Sequence, residues 1–342
     1  MSGTIKVTTL QDGGSSTANL VFDTSGNATV GNNLTVTGTV AMSSSFKRNR
    51  IINGNMAAAQ RGTTISSISS DGTYTADRRY ITRGGTINYS QSTSSPPTGF
   101  QYYASYINQT ASNPFLAITQ AIETLNCYDL AGQTVTVSAY LKAAANTAGS
   151  TAATLNIGYA TTADTKQTSL LTAQNFTISS SSWTRCTATF SIPANALTVA
   201  VNIALGTMAV SDGIFVTGVQ LEVGSVATPY ERQIYSDQLA QCQRYYQLIQ
   251  ATTGTTSSTA NFVCNVKPVV TMRTGPSASQ NGVIGISDYT NDYVQSSTST
   301  TTYTSYADLV VMGLNNFSGL TLYRPYFTRG QNTNAITLSA EL

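Results

Sequence analysis

Asp288 and Asp292, in the stretch SDYTNDY, are the closest acid pair in the chain and sit in what reads as a loop. Two carboxylates are the minimum apparatus for glycoside hydrolysis, one as acid and the other as base or nucleophile. The same pair resembles an oxygen-lined calcium loop, without the length or closing glutamate of an EF-hand. A plain solvated turn is the third reading. Around the pair stand Tyr289, Tyr293, Tyr303, Tyr306, Tyr323 and Tyr326, set among Asn, Ser and Thr. Tyrosine offers a rigid apolar face with a polar tip, which suits contact surfaces and stacking on sugar rings. Asp288, Tyr289, Asp292, Tyr293, Tyr303 and Tyr306 are therefore the candidate receptor- or glycan-binding residues. Packing between subunits is the competing role for the tyrosines.

Much other chemistry is excluded by what the chain lacks. There is no histidine, which removes Ser-His-Asp and Cys-His nucleophiles, His-based zinc sites and imidazole proton shuttles. No phosphate-cradling GxxxxGK or GxGxxG follows a strand. Cys127, Cys186, Cys242 and Cys264 are far apart and form no CxxC pair, so buried free thiols are expected, with no metal cluster and no disulfide framework. No cofactor and no metal is expected. Trp183, the only tryptophan, stands at a strand start and reads as a core or edge residue before a sugar platform.

Charged residues make up 9% of the chain, against roughly a quarter in ordinary globular proteins. Thr, Ser, Asn and Gln take their place, a surface that fits sheets. The net charge of +2 supplies no field to gather nucleic acid or an anionic membrane. Basic residues cluster once, where Lys47, Arg48, Arg50, Arg61, Arg78, Arg79 and Arg83 face only Asp71 and Asp77. A basic collar and a docking site for an acidic partner are the two readings. The opening MSGTIKVTTLQDGG lacks the features of a secretion signal, so synthesis in a cytoplasm and a soluble product are expected.

The elements that must position these residues read as all-β with one helix. Residues 1–45 carry short apolar pairs separated by Gly26, Gly31 and Gly38. Strands so short bury no core in one chain but could in three wound copies, so this segment reads as a fibrous stalk or attachment tail. Residues 46–232 suit an antiparallel jelly-roll sandwich of about eight strands, at 80–90, 117–123, 134–142, 153–160, 183–192, 198–205 and 214–223. Residues 233–250 read as the linking helix. In it Tyr235, Leu239, Cys242, Tyr246 and Ile249 recur at coiled-coil spacing, with Ser236 at the N-cap position. That stripe is either a trimer seam or the face of a lone helix packed on a sheet. Residues 251–260 read as a Thr/Ser linker, and 251–342 as a second, sandwich-like β domain with strands at 261–266, 282–287, 307–313, 319–327 and 335–341.

The stretches NRIINGNMAAAQRGTT, ADRRY, GVQLEVGSVATPYERQIYSDQLAQCQRYYQ and TLSAEL resemble a family of bacteriophage tail-fibre and receptor-binding proteins with a carbohydrate-binding-module-like jelly roll. The match covers roughly residues 46–342 in order, and its joined QLE and CQRYY motifs are specific. One departure is Arg79, where such proteins often carry an aromatic residue, often Trp. The resemblance implies a homotrimeric virion component that attaches to a host surface glycan or outer-membrane receptor. Its N-terminal segment would join other tail proteins. It implies no shared catalytic motif, so binding without cleavage is the leading expectation. A polysaccharide depolymerase using paired carboxylates and a purely structural tail adaptor are the alternatives.

Overall fold

A computed structural model describes residues 9–10, 20–22, 28–30, 47–111, 113–144, 150–249, 252–329 and 336–342. The chain divides into two compact units, Met1–Phe46 and Lys47–Leu342. In the first, Thr9–Leu10, Leu20–Phe22 and Ala28–Val30 pair as a three-stranded antiparallel sheet. The rest of the expected stalk lies outside the described residues.

The second unit is built on two apolar cores. The first belongs to an antiparallel jelly-roll sandwich. One sheet runs Thr184–Ser191, Thr134–Ala143, Gly213–Val223, Tyr103–Asn108, Ile87–Ser92 and Thr64–Ile68. The other runs Ser169–Leu170, Ser150–Ala160, Thr198–Leu205, Leu116–Ile122, Tyr80–Arg83 and Thr73–Tyr74, with Gln174–Ser179 added to Ser150–Ala160. Period-two alternation sends Val135, Val137 and Leu141 into one cluster with Leu155, Ile157, Val201 and Ile203. Each such burial contributes about 1.5–3 kcal/mol.

Thirteen strands replace the eight expected. The single strand expected at 80–90 is two, one in each sheet, because the chain crosses over at Gly84 and Gly85. A Cβ at Gly84 would lie 2.4 Å from the Pro114 ring, and one at Gly85 2.2 Å from Thr110 Oγ1.

The second core fills the C-terminal part. Its seven-stranded sheet runs Asp292–Val294, Gly285–Ser287, Pro325–Thr328, Thr253–Ser258, Asn261–Val266, Leu309–Leu314 and Thr300–Tyr306. A three-stranded sheet, Tyr246–Ile249, Ile336–Ser339 and Ser277–Gln280, closes the cluster around Phe262, Met312, Ile336 and Leu338. The described part of the expected Thr/Ser linker is therefore mostly a strand at the centre of the larger sheet. Thr256 faces inward at 1% exposure and donates its hydroxyl to Thr321 O at 2.5 Å.

The helix is shorter than its sequence spacing suggests. It spans Tyr235–Gln243, with Ile234 at the N-cap and no side-chain cap, so Ser236 lies inside it. Tyr246 and Ile249 belong to a strand paired with Ile336–Ser339, and the five proposed seam residues do not form one helical stripe. The four residues Tyr246–Ile249 exchange backbone bonds with a partner strand about 90 residues away in sequence, which a local period cannot show. Cys242 points inward at 1% exposure, whereas Tyr235 is 54% exposed. Among the described residues no helix is long and apolar enough to cross a membrane.

Part of the basic cluster turns inward: Arg78 and Arg79 are buried, Arg48, Arg50, Arg61 and Arg83 are half-buried, and Lys47 is exposed. Arg61 donates to Asp77 at 3.1 Å and to Glu341 at 2.9 Å, and Arg78 pairs with Glu341. The Arg78 guanidinium also lies 3.5 Å from the Tyr245 ring centroid, and Arg61 lies 3.7 Å from that of Tyr246. Arg79 is fully buried near Tyr106, Tyr230 and Cys242, and its three guanidinium nitrogens have no hydrogen-bond partner among the described residues. Burial lowers its pKa to about 10, which leaves it charged at neutral pH.

Candidate functional site

The sequence motifs that carry the family resemblance meet at one place. Asn49 donates its backbone N–H to Glu231 Oε2 at 2.7 Å, and its side-chain oxygen accepts from the Leu221 N–H at 3.1 Å. Gln220 Oε1 accepts from the Glu231 N–H at 2.8 Å, while its amide donates to Glu222 Oε1 at 2.8 Å. Glu222 also accepts from the N–H and hydroxyl of Thr228, at 2.9 and 2.6 Å. Gly54 completes the knot, since a Cβ there would lie 2.2 Å from Val219 O. These buried polar groups satisfy one another, as buried polar groups must. Their joint effect is to fix the 224–234 loop and the start of the helix against the segment 49–57.

Two clefts flank the helix start that this knot holds, and both are lined by Gln233. The first encloses about 330 Å³ between Asn55, Ala57, Phe100, Gln101, Tyr102, Arg232, Gln233, Tyr235 and Gln238. Three aromatic rings, four amides and one arginine line it, and no carboxylate. Phe100 is braced by Tyr140 and Tyr230, at centroid distances of 5.3 and 5.1 Å, and Arg232 lies over its ring at 5.4 Å. The side-chain oxygens of Gln233 and Gln238 are buried without a donor among the described residues. An unmet acceptor costs about 1–3 kcal/mol, so each amide gains by turning toward a hydroxyl in the cleft. Aromatic faces with amide donors and acceptors are what a sugar ring needs.

The second cleft, about 410 Å³, is lined by Lys47, Arg50, Arg78, Arg244, Gln120, Gln241 and Glu123 among others. Glu123 is the one carboxylate in its lining, gripped by Arg244 Nε and Nη2, each 3.1 Å from Oε1.

The six candidate binding residues of the second β domain are not brought together. Asp288, Tyr289, Asp292 and Tyr293 lie at one edge of the seven-stranded sheet, and Tyr303 and Tyr306 on the strand at the opposite edge. Asp288 Oδ1 accepts from the N–H groups of Thr290 and Asn291, at 2.9 and 2.7 Å, and Oδ2 pairs with Arg324. Asp292 pairs with Arg329. An arginine thus sits on each carboxylate. Tyr289, at φ 72°, is 91% exposed and meets Phe327 at a tilt, with ring centroids 4.6 Å apart, whereas Tyr293 packs against the second core. Trp183 packs edge-on against Tyr103 at 5.3 Å.

Of the seam residues, Tyr235 lines the aromatic cleft. Phe100, Gln101, Tyr102, Arg232, Gln233 and Gln238 escaped sequence reasoning. Arg232, Gln233 and Gln238 lie between the QLE and CQRYY motifs, whereas Phe100, Gln101 and Tyr102 come from a distant segment that carried no signal.

The chain matches no protein family and no curated protein in sequence. Solved structures with related folds include an enzymatically active tailspike domain of bacteriophage CBA120, at 14% identity and TM-score 0.35, covering 52% of this chain and 22% of that one. A family 22 carbohydrate-binding module of Clostridium thermocellum Xyn10B matches at 17% identity and TM-score 0.34, over 48% of this chain and 97% of that module. The module TmCBM61, solved with β-1,4-galactotriose, matches at 9% identity and TM-score 0.31, over 52% of this chain and all of that module. The chain thus spans about a fifth of the tailspike chain. At such TM-scores these likenesses carry no weight on function.

Proposed function

We propose that this protein is a bacteriophage tail-fibre component that attaches to a host surface glycan by holding sugar rings in the aromatic cleft beside the helix, without cleaving them. The observation that carries the proposal is the cleft's lining: Phe100, Tyr102 and Tyr235 with four amides and no carboxylate. Glycoside hydrolysis canonically uses two carboxylates that flank the bond broken, and the lining of this cleft supplies none. The sequence resemblance in the motifs that build the cleft adds the virion context. Assembly as a homotrimer, joined to other tail proteins through residues 1–45, belongs to the same proposal. Three weak sites on one fibre would then act together, since tethering makes the second and third contacts intramolecular.

The test is binding of the purified protein to a glycan array and to envelope fractions of susceptible cells. Tyr235→Ala removes the most exposed ring of the cleft and is expected to weaken binding roughly tenfold, about the worth of one good aromatic contact. Its thermal midpoint should stay unchanged, because the side chain is half-exposed. A wild-type protein that binds no glycan and no envelope fraction would end the proposal.

A further inference from the structure

The second cleft shares Gln233 with the first, and its charge is unlike that of the chain as a whole. The sequence carries nearly balanced charge, +2 over 342 residues. Yet four cations, Lys47, Arg50, Arg78 and Arg244, line this cleft, and Glu123 is the one carboxylate in the lining itself. Asp129 pairs with Arg50, Glu341 with Arg78 and Glu123 with Arg244. Lys47 is left exposed, with no ion-pair partner among the described residues. On the other side of Gln233, Arg232 lines the aromatic cleft, where no acid opposes it.

A second observation points to an oxygen-rich occupant. Arg78 is 2% exposed, yet its Nε has no hydrogen-bond partner among the described residues. Its other nitrogens are committed, Nη1 to Glu341 and Nη2 to Ala121 O at 2.7 Å. An unmet buried donor in the wall of a polar cleft is best satisfied by an acceptor that enters from the cleft. Gln120 does not compete for that role, because it is tied to Ile52 through both its oxygen and its amide, each at 2.8 Å.

We infer that the two clefts form one extended subsite pair for an acidic glycan, in which a sugar bearing an oxyanion occupies the basic cleft and its neutral neighbour lies on the aromatic rings. This rests on the glycan-binding reading above and narrows it to a substrate class. Gln233 spans the two subsites. The oxyanion is a carboxylate or a phosphate on the sugar, and either would meet the uncompensated charge of Lys47. No bond is made or broken in this recognition.

The experiment uses the full chain and an array of matched oligosaccharides that differ at one sugar only, carrying a hydroxymethyl, a carboxylate or a phosphate. The acidic member of a pair should bind roughly fivefold more tightly at about 50 mM salt. That preference should shrink toward parity at about 500 mM, as screening demands. Lys47→Gln should lower the acidic-to-neutral ratio, and Glu123→Gln should raise it. A merely structural role for these residues would move both arms together. Preference for the carboxylate arm or for the phosphate arm tells the two oxyanions apart. Equal binding of neutral and acidic members, or a ratio that neither variant moves, overturns the inference while the glycan-binding reading stands. Absence of binding to every member removes that reading, and the inference falls with it.

Discussion

Charge is used in opposite ways at the junction beside the helix and at the edge of the seven-stranded sheet. At the junction Asp77, Arg61, Arg78 and Glu341 have side chains at most 10% exposed, and they are knitted together with Tyr74, Tyr245 and Tyr246. At the sheet edge Arg329 and Asp292 are 38% and 48% exposed. Coulomb attraction and desolvation both grow as water is removed. The buried network therefore holds the paired strands Tyr246–Ile249 and Ile336–Ser339 against the jelly roll, and each member is costly to leave unpaired. The exposed pair is screened and replaceable. A protein with so few charges has placed four of them where they lock the platform behind the clefts.

The largest expected effect follows from breaking that network. Glu341→Gln leaves Arg61 and Arg78 without one of their anions inside the protein. Removal of one partner of a buried pair costs about 3–5 kcal/mol. Urea unfolding should show the loss as a lower midpoint with the slope unchanged. A loss below about 1 kcal/mol would mean that the junction is wetter than its burial implies, and the contrast with the sheet edge would disappear.

The network also marks where sequence reading stops. Strands such as Thr134–Ala143 and Thr198–Leu205 are legible because alternate positions are apolar and β-branched. Thr253–Ser258 was not, because a strand of Thr, Ser and Gly carries no hydrophobic period and is specified by its neighbours. Tyr246–Ile249 mimicked a helix because four- and three-residue spacings suit both a helical stripe and a chance run in a short strand. Arg61 and Arg78 looked like surface charge because their carboxylate, Glu341, lies 280 and 263 residues away. The cleft was hidden for the same reason: Asn55, Phe100 and Tyr235 come from separate segments. What was legible was the motif set that builds the cleft's support, Asn49, Gly54, Gln220, Glu222 and Glu231.

Acid titration should separate the two regions by sign. Burial, the largest influence, raises the pKa of Asp77 despite the opposing Arg61 charge. Between its unfolded value near 3.8 and its higher folded value, the native state then binds more protons, so stability falls as pH rises through that window. Asp288 behaves in the opposite way. The Asn291 N–H, followed by other donors and Arg324, lowers its pKa. Its contribution is complete above the unfolded value and is lost as pH falls through the lower folded one. In unfolding measured across about pH 2–6, Asp77→Asn should remove a negative slope and Asp288→Asn a positive one. Slopes of the same sign would contradict the assignment of burial to one carboxylate and backbone donation to the other.

The smallest effect belongs to the exposed pair. Arg329→Gln removes the cation on Asp292, which water can replace because both side chains are about two-fifths to one-half accessible. Such pairs are worth about 0.2–1 kcal/mol, and the strand Asp292–Val294 is held independently by its backbone pairing with Gly285–Ser287. The variant should therefore unfold within about 1 kcal/mol of the parent, and the small difference should vanish at high salt. A larger, salt-insensitive loss would place this edge among the buried networks. The sheet edge and the junction would then be two versions of one device.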